Sequence, residues 1–223
     1  GIDIIRSSEL NNSYHHLLFV VLIVLSVFFI FLAFLENIHV LKKYPQIFKK
    51  SGRLNTDFTV DFGQDVALLN IGFMGFICVV LIYFAGIQIN GPVMGAILTV
   101  LGFSVYGKHP LNTIPVIIGA ILAIELTPLE WTIGPTLSVI FVTGLAPLAG
   151  QFGIVAGIIA GFIHLLIIPL ALDFQGGFDL YNNGFAAGFV SALLAPIFTV
   201  MFKLRDENKK WNRILPLNMI KRE

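Results

Sequence analysis

The sequence predicts an all-α, polytopic bundle of transmembrane helices, and three observations predict it. The 223-residue chain is 57% hydrophobic and only 12% charged, too few charges to build the polar shell of a soluble domain. Those charges are unevenly spread: no Asp, Glu, Lys or Arg falls between Val66 and Gly107 or between Trp131 and Leu172. Inside a bilayer every backbone group must be bonded internally, so such stretches are helices or strands of a closed barrel. Barrel strands alternate apolar and polar residues at period two, and that alternation is absent. The lipid bilayer is therefore the first expected partner.

Leu17 to Leu35 carries no charge and matches the roughly 20 residues a span requires. A secretory signal would have a shorter apolar core and a small-residue cleavage site, whereas Glu36, Asn37 and His39 follow here. Val40 to Asp65 is a polar connector. In it Val40, Leu41, Tyr44, Ile47 and Phe48 recur at helical spacing opposite Lys42, Lys43, Lys49 and Lys50. That pattern suits a short helix on an anionic membrane surface, interrupted at Pro45, or else a solvated loop.

Val66 to Ile89 reads as the second span. Two shorter runs follow, Gly91-Pro92 to Gly107 and Lys108-His109-Pro110 to Leu126. At about 16 residues and 1.5 Å per residue each is short for a core of roughly 30 Å. Proline suits a helix's first turn, where its missing N–H has no partner to lose. The pair reads as two tilted spans or as one re-entrant hairpin. Ile133 to Leu148, Phe152 to Leu172 and Phe185 to Leu204 complete the set, giving about five full spans plus two short Gly/Pro-led helices.

Residues 1–65 then form a first span with a basic connector, 66–204 the transmembrane core and 205–223 a basic tail. The tail holds Arg205, Lys209, Lys210, Arg213, Lys221 and Arg222, with Trp211 as an interfacial anchor. Basic residues mark the cytoplasmic side, which places the connector and the C-terminus together there. Between the connector and the tail lie six crossings, or four and a re-entrant hairpin, an even number either way. Glu125, Glu130, Asp173 and Asp179 fall outside. The first residue is Gly1 rather than Met, which suits a chain that begins inside a longer protein or after processing.

Two internal echoes stand out. Gly91-Pro92 and Gly134-Pro135 are 43 residues apart, as are Ile97 and Ile140, and Gly107 and Gly150. Asn70-Ile71-Gly72-Phe73 returns as Asn182-Asn183-Gly184-Phe185 at an offset of 112. Repeats with short, Gly/Pro-interrupted helices are a construction many transporters share.

A net charge of +1 gives no field for nucleic acid, and Cys78, the single cysteine, excludes an intramolecular disulfide. No catalytic, phosphate-binding or metal-binding pattern occurs, so no catalytic residue, cofactor or metal is expected. The candidate solute path consists of Lys108, His109, Asn112, Asn182, Asn183, His164 and Asn70. Lys108 and His109 lie between the two short helices, where a buried cation and the Pro110 helix N-terminus would favour an anion or polar carbonyl. If both helices span fully, the same pair forms only a turn.

His164 follows Gly150, Gly153, Gly157 and Gly161 on one small-residue face, and a buried packing role competes with a pore-lining one. Asn70, Asn112, Asn182 and Asn183 offer donors and acceptors without charge, suited to a neutral solute or a dehydrated ion, or to capping and interhelical bonds. The Gly-rich stretch from Gln175 to Gly184 could fold back to line a vestibule.

At Gly107-Lys108-His109-Pro110 and Leu180-Tyr181-Asn182-Asn183-Gly184-Phe185-Ala186-Ala187-Gly188 the chain resembles a bacterial integral-membrane family of unknown function, over roughly Leu69 to Pro196. The resemblance implies a polytopic helical fold and no assigned activity. Short Gly/Pro-led helices around a polar midplane are also similar in architecture to urea-type solute channels. Taken together, the expectation is a channel or transporter for a small polar solute or ion, as a homo-oligomer or with a partner subunit. The alternatives are a structural subunit of a larger membrane complex, or a lipid-directed membrane enzyme using His109, His164 and Asp179.

Overall fold

The structure, a computed structural model, describes the backbone of residues 14–53, 55–175 and 179–214, with side chains for all of these except 172–175, 179–181 and 205–214. Five helical segments are long and apolar enough to cross a membrane: His15–Glu36, Gln64–Ala85, Ile133–Phe152, Ile154–Ala171 and Asn182–Leu204. Gly91–Phe103 and Pro110–Leu126 are the two shorter apolar helices. The described residues hold no strand, so the chain is a helical membrane bundle.

In chain order the elements are α1 (His15–Glu36), α2 (Val40–Lys43) running into a 3₁₀ turn (Tyr44–Lys49), α3 (Phe58–Phe62) and α4 (Gln64–Ala85). Next come α5 (Gly91–Phe103), α6 (Pro110–Leu126), and α7 (Ile133–Phe141) continued by a 3₁₀ turn (Val142–Leu145) into α8 (Ala146–Phe152). The last two are α9 (Ile154–Gln175) and α10 (Asp179–Ile214).

Glycine and proline place the breaks. The second span ends at Ala85, earlier than the apolar run to Ile89 suggests, because Gly86 adopts φ 63° and caps the helix. Ile87 and Ile89 stay buried in the short link that follows, which is why hydropathy alone cannot see this end. Asn90 starts α5 by accepting a bond from the Val93 N–H (3.0 Å). The Ile133–Phe152 span is not one helix: it relaxes to 3₁₀ geometry over Val142–Leu145, just ahead of Pro147.

Hydrogen bonds at the two ends fix the order of the segments. His15 Nδ1 accepts from the Ile89 N–H (2.9 Å), so α1 begins where α4 ends. Asn37 and Lys43 both reach Asp65 (2.8 and 3.1 Å), so α1 ends where α4 begins. The α5–α6 turn touches the connector through His109 Nε2 and the Lys50 carbonyl (2.9 Å). That turn therefore sits at the connector end. Of the two arrangements open from sequence, α5 and α6 adopt the one in which both run between the ends of the bundle.

The first part of the connector, Val40–Lys49, is helical rather than a solvated loop. Val40, Tyr44 and Ile47 point into the bundle while Lys42 and Lys49 stay exposed. Proline 45 opens the 3₁₀ turn rather than ending structure, its missing N–H falling at a first-turn position.

The 43-residue offset has a spatial counterpart. It carries α5 onto the α7 segment and α6 onto α9. Helices α5 and α7 pack together, and α6 and α9 make one of the two most extensive contacts in the bundle. Small residues set that closeness. A side chain at Gly119 would strike the Ile158 carbonyl, and one at Gly161 the Val116 carbonyl. At Gly157 a Cβ would meet Ala149 Cβ at 2.5 Å and Pro115 Cβ at 2.9 Å.

Gly161→Ala should destabilise the protein by roughly 1–3 kcal/mol, the usual range for overpacking, read as a lower melting temperature in detergent. Gly95→Ala meets nothing within 4 Å and should be neutral or stabilising by up to about 1 kcal/mol. Equal melting of the two variants would mean that α6 and α9 are not in backbone contact.

Candidate functional site

The sequence-selected residues fall into two groups. The first lies at the connector end. Asn70, on the second turn of α4, is fully buried; its Nδ2 donates to the carbonyls of Ser104 (3.0 Å) and Lys108 (2.7 Å). Its Oδ1 accepts from the Tyr44 hydroxyl (2.9 Å). Burial raises the Tyr44 pKa, which keeps this phenol a donor at any ordinary pH.

Asn112 holds the start of α6. Its Oδ1 accepts from the His109 N–H (2.9 Å), and its Nδ2 donates to the Gly107 carbonyl (2.9 Å) and, more weakly, the Ser51 carbonyl (3.4 Å). His109 packs its ring between Phe48 and Phe58, with centroids 5.5 and 6.4 Å away. Beneath these bonds two backbones nearly touch. A Cβ on Gly52 would lie 2.5 Å from the Gly107 carbonyl oxygen, and both glycines hold positive φ, 85° and 90°. Only glycine accepts both the torsion and the space. Asn70 and Asn112 thus have their amides committed to backbone groups, the bonding role weighed against a solute role from sequence.

Lys108 differs from its neighbours. Its Nζ turns away from the connector, donates to Thr143 Oγ1 (3.2 Å) and lies 5.5 Å from the Phe103 ring centroid. Thr143 sits in the 3₁₀ break of the third long span. Burial pushes the amine's pKa down to about 8. No carboxylate pairs with it among the described residues, leaving a half-buried cation bonded to one hydroxyl.

The second group lies between α9 and α10. His164, fully buried on α9, has its Nε2 3.2 Å from Asn183 Oδ1. Asn182, the adjacent residue on α10, is fully buried, and neither its Nδ2 nor its Oδ1 has a hydrogen-bond partner among the described residues. The structure does not gather all seven residues in one place: Asn70, Lys108, His109 and Asn112 share the connector end, and His164, Asn182 and Asn183 share the α9–α10 seam.

His109 and His164 belong to different groups, and the side chains of Asp173, Asp179 and the tail lie outside the described residues, as does the Gly176-Gly177-Phe178 stretch. Among the described residues no three His, Cys, Asp or Glu side chains gather to hold a metal. Sequence reasoning missed Thr143 and Tyr44, the partners of Lys108 and Asn70. A threonine in an apolar run and a tyrosine in a basic connector carry no spacing signal, and only the fold brings each to its partner.

His109 gives a pH test. Burial lowers its pKa from the ordinary value near 6.5, against which its bond to Lys50 acts weakly. The unfolded chain then binds this proton more readily, so stability is lost as pH falls below about 6.5. The melting temperature in detergent should drop between pH 7 and 5, and His109→Gln should remove part of that drop. An unchanged slope in the variant would show that His109 does not carry it.

The family model of a protein of unknown function, DUF1576, matches residues 36–200. The match covers well over half of the chain, so the chain belongs to this family, which extends beyond the Leu69 to Pro196 resemblance at both ends. No curated protein and no solved structure matches the chain.

Proposed function

We propose that this DUF1576 member is the core of a channel or carrier for a small polar solute or ion. One observation carries the reading: Asn182 holds both amide atoms buried and, among the described residues, unpartnered inside an apolar helix, beside the His164–Asn183 pair. A buried amide without partners costs on the order of 1–3 kcal/mol. Polar groups kept inside a membrane at such a cost usually serve a solute path. Lys108 supports the same reading, since its amine turns inward to the helix break at Thr143 rather than outward to water.

In this proposal Asn182, Asn183 and His164 exchange hydrogen bonds with the solute, and Lys108 with Thr143 contributes a donor further along. Asn70 and Asn112 hold the connector end shut around that path, and His109 anchors the turn that carries Lys108. The basic connector and C-terminus face the cytoplasm, and the bundle works in a bacterial inner membrane as an oligomer.

A structural-subunit reading has one observation in its favour. An apolar cleft of about 710 Å³ opens between α4 and α6, lined by Phe76, Val80, Phe84, Ile114, Ile118 and Ile121 among others. Such a cleft suits a helix from a partner or lipid tails.

Proteoliposome swelling over urea, ammonium, glycerol and small anions tests the proposal. One solute should enter faster than by lipid leak. Asn182→Leu should reduce that entry at least tenfold, equivalent to about 1.4 kcal/mol, and Lys108→Ala should also reduce it. No flux for any of these solutes, with the protein folded, would overturn the channel reading in favour of the subunit one.

A further inference from the structure

The opposite end of the bundle holds a cavity that none of the seven candidate residues lines. It measures about 380 Å³ and lies between the α4–α5 link and the start of α7, with Gln88, Asn90, Val93, Trp131, Thr132 and Thr136 on its wall. Helix α5 has 13 residues, against 22 for α4. At 1.5 Å per residue it is shorter by roughly 13 Å. Both α5 and α7 begin at this cavity, so two helix N-termini open into the same space.

Each of these starts keeps N–H groups in reserve. The first-turn N–H groups of a helix have no partner within it. Asn90 caps Val93, while α7 has no side-chain cap. Ile133, the first residue of α7, stands on the cavity wall at that uncapped start.

The second observation is independent of the helix ends. Thr136 is only 7% exposed and lines the cavity. Its hydroxyl has no hydrogen-bond partner among the described residues, although Thr99 and Ser138 on the same two helices bond their own backbones. The amide Nδ2 of Asn90 is likewise uncommitted, its Oδ1 alone being used. An otherwise buried residue whose hydroxyl bonds no described protein group and faces a polar cavity is free to bond a ligand there.

The charge balance narrows the ligand. Two helix N-termini attract acceptor atoms. Among the described residues no Lys or Arg lines the cavity, while Glu125, bonded to Trp131 Nε1 (3.0 Å), stands at its side. A full anion would be bound by dipoles yet opposed by that carboxylate. A neutral molecule with a carbonyl or hydroxyl acceptor has no such opposition.

We infer that this cavity is a binding vestibule for a small neutral solute rich in hydrogen-bond acceptors, such as a simple amide or polyol, held by Thr136, Asn90 and the α5 and α7 N-termini. The inference rests on the solute-path reading for its purpose and not for its geometry. The same two helices lead from this cavity toward Lys108 and Thr143, so the vestibule would be one entrance of that path.

The test reads occupancy directly. In Cys78→Ala protein, Thr132→Cys places a reactive thiol on the exposed rim of the cavity. A water-soluble methanethiosulfonate reagent should label it, and molar acetamide should slow labelling at least fivefold while equal acetate leaves it near its starting rate. Adding Thr136→Val should reduce the protection at least threefold. Val60→Cys, exposed at the connector end, should show no protection.

Unchanged labelling with acetamide, or stronger protection by acetate, would overturn the inference. So would full protection in the Thr136→Val protein. Gln88→Cys serves as a second reporter if Thr132→Cys does not fold. Because labelling does not require flux, protection without transport would sink the channel proposal and leave this site standing, whereas transport without protection would do the reverse.

Discussion

The bundle depends on one seat, where the Lys50–Arg53 backbone lies against two glycines from different parts of the chain. Gly52 meets Gly107, and the Ser51 carbonyl stands where a side chain at Gly150 would be. His109 and Asn112 bond the carbonyls of Lys50 and Ser51, and Arg53 Nε donates to Gln151 Oε1 (2.9 Å). An extended segment has no helical partners of its own, so each of these bonds answers a need of the backbone. Through them the α5–α6 turn and the end of α8 are held to one strap. Asn70 and Tyr44 then hold the α5–α6 turn over α4, and the helix ends at that face are fixed.

Most of the helical plan was legible in the sequence because burial in lipid leaves a coarse mark: long runs free of charge, closed by glycine, proline or a polar group. Less legible were features set by one residue's torsion or by distant pairing. Gly86 ends α4 within an apolar run that continues to Ile89, and hydropathy does not report φ. The 3₁₀ break at Val142–Leu145 lies in residues whose composition suits an unbroken helix. Lysine 108 stood out as a cation among apolar neighbours, but its inward turn to Thr143 follows from packing.

The polar residues divide by what they satisfy. Asn70 and Asn112 complete backbone bonding where helices stop and turns begin, the work that capping amides do in any protein. Asn182 and Thr136 satisfy nothing in their surroundings. Their positions differ, one buried at the α9–α10 seam and one on the cavity wall at the α5 and α7 starts.

The strap also imposes an order on biogenesis. Arg53 and Gln151 are 98 residues apart in sequence, and at roughly 5–20 residues per second a ribosome needs about 5–20 s to cover that interval. Throughout this time the connector has no Gly150 to rest on, and four cationic side chains, Lys42, Lys43, Lys49 and Lys50, remain near the membrane surface. The Arg53–Gln151 bond and the Ser51–Gly150 contact therefore form only after residues 150 and 151 have been made.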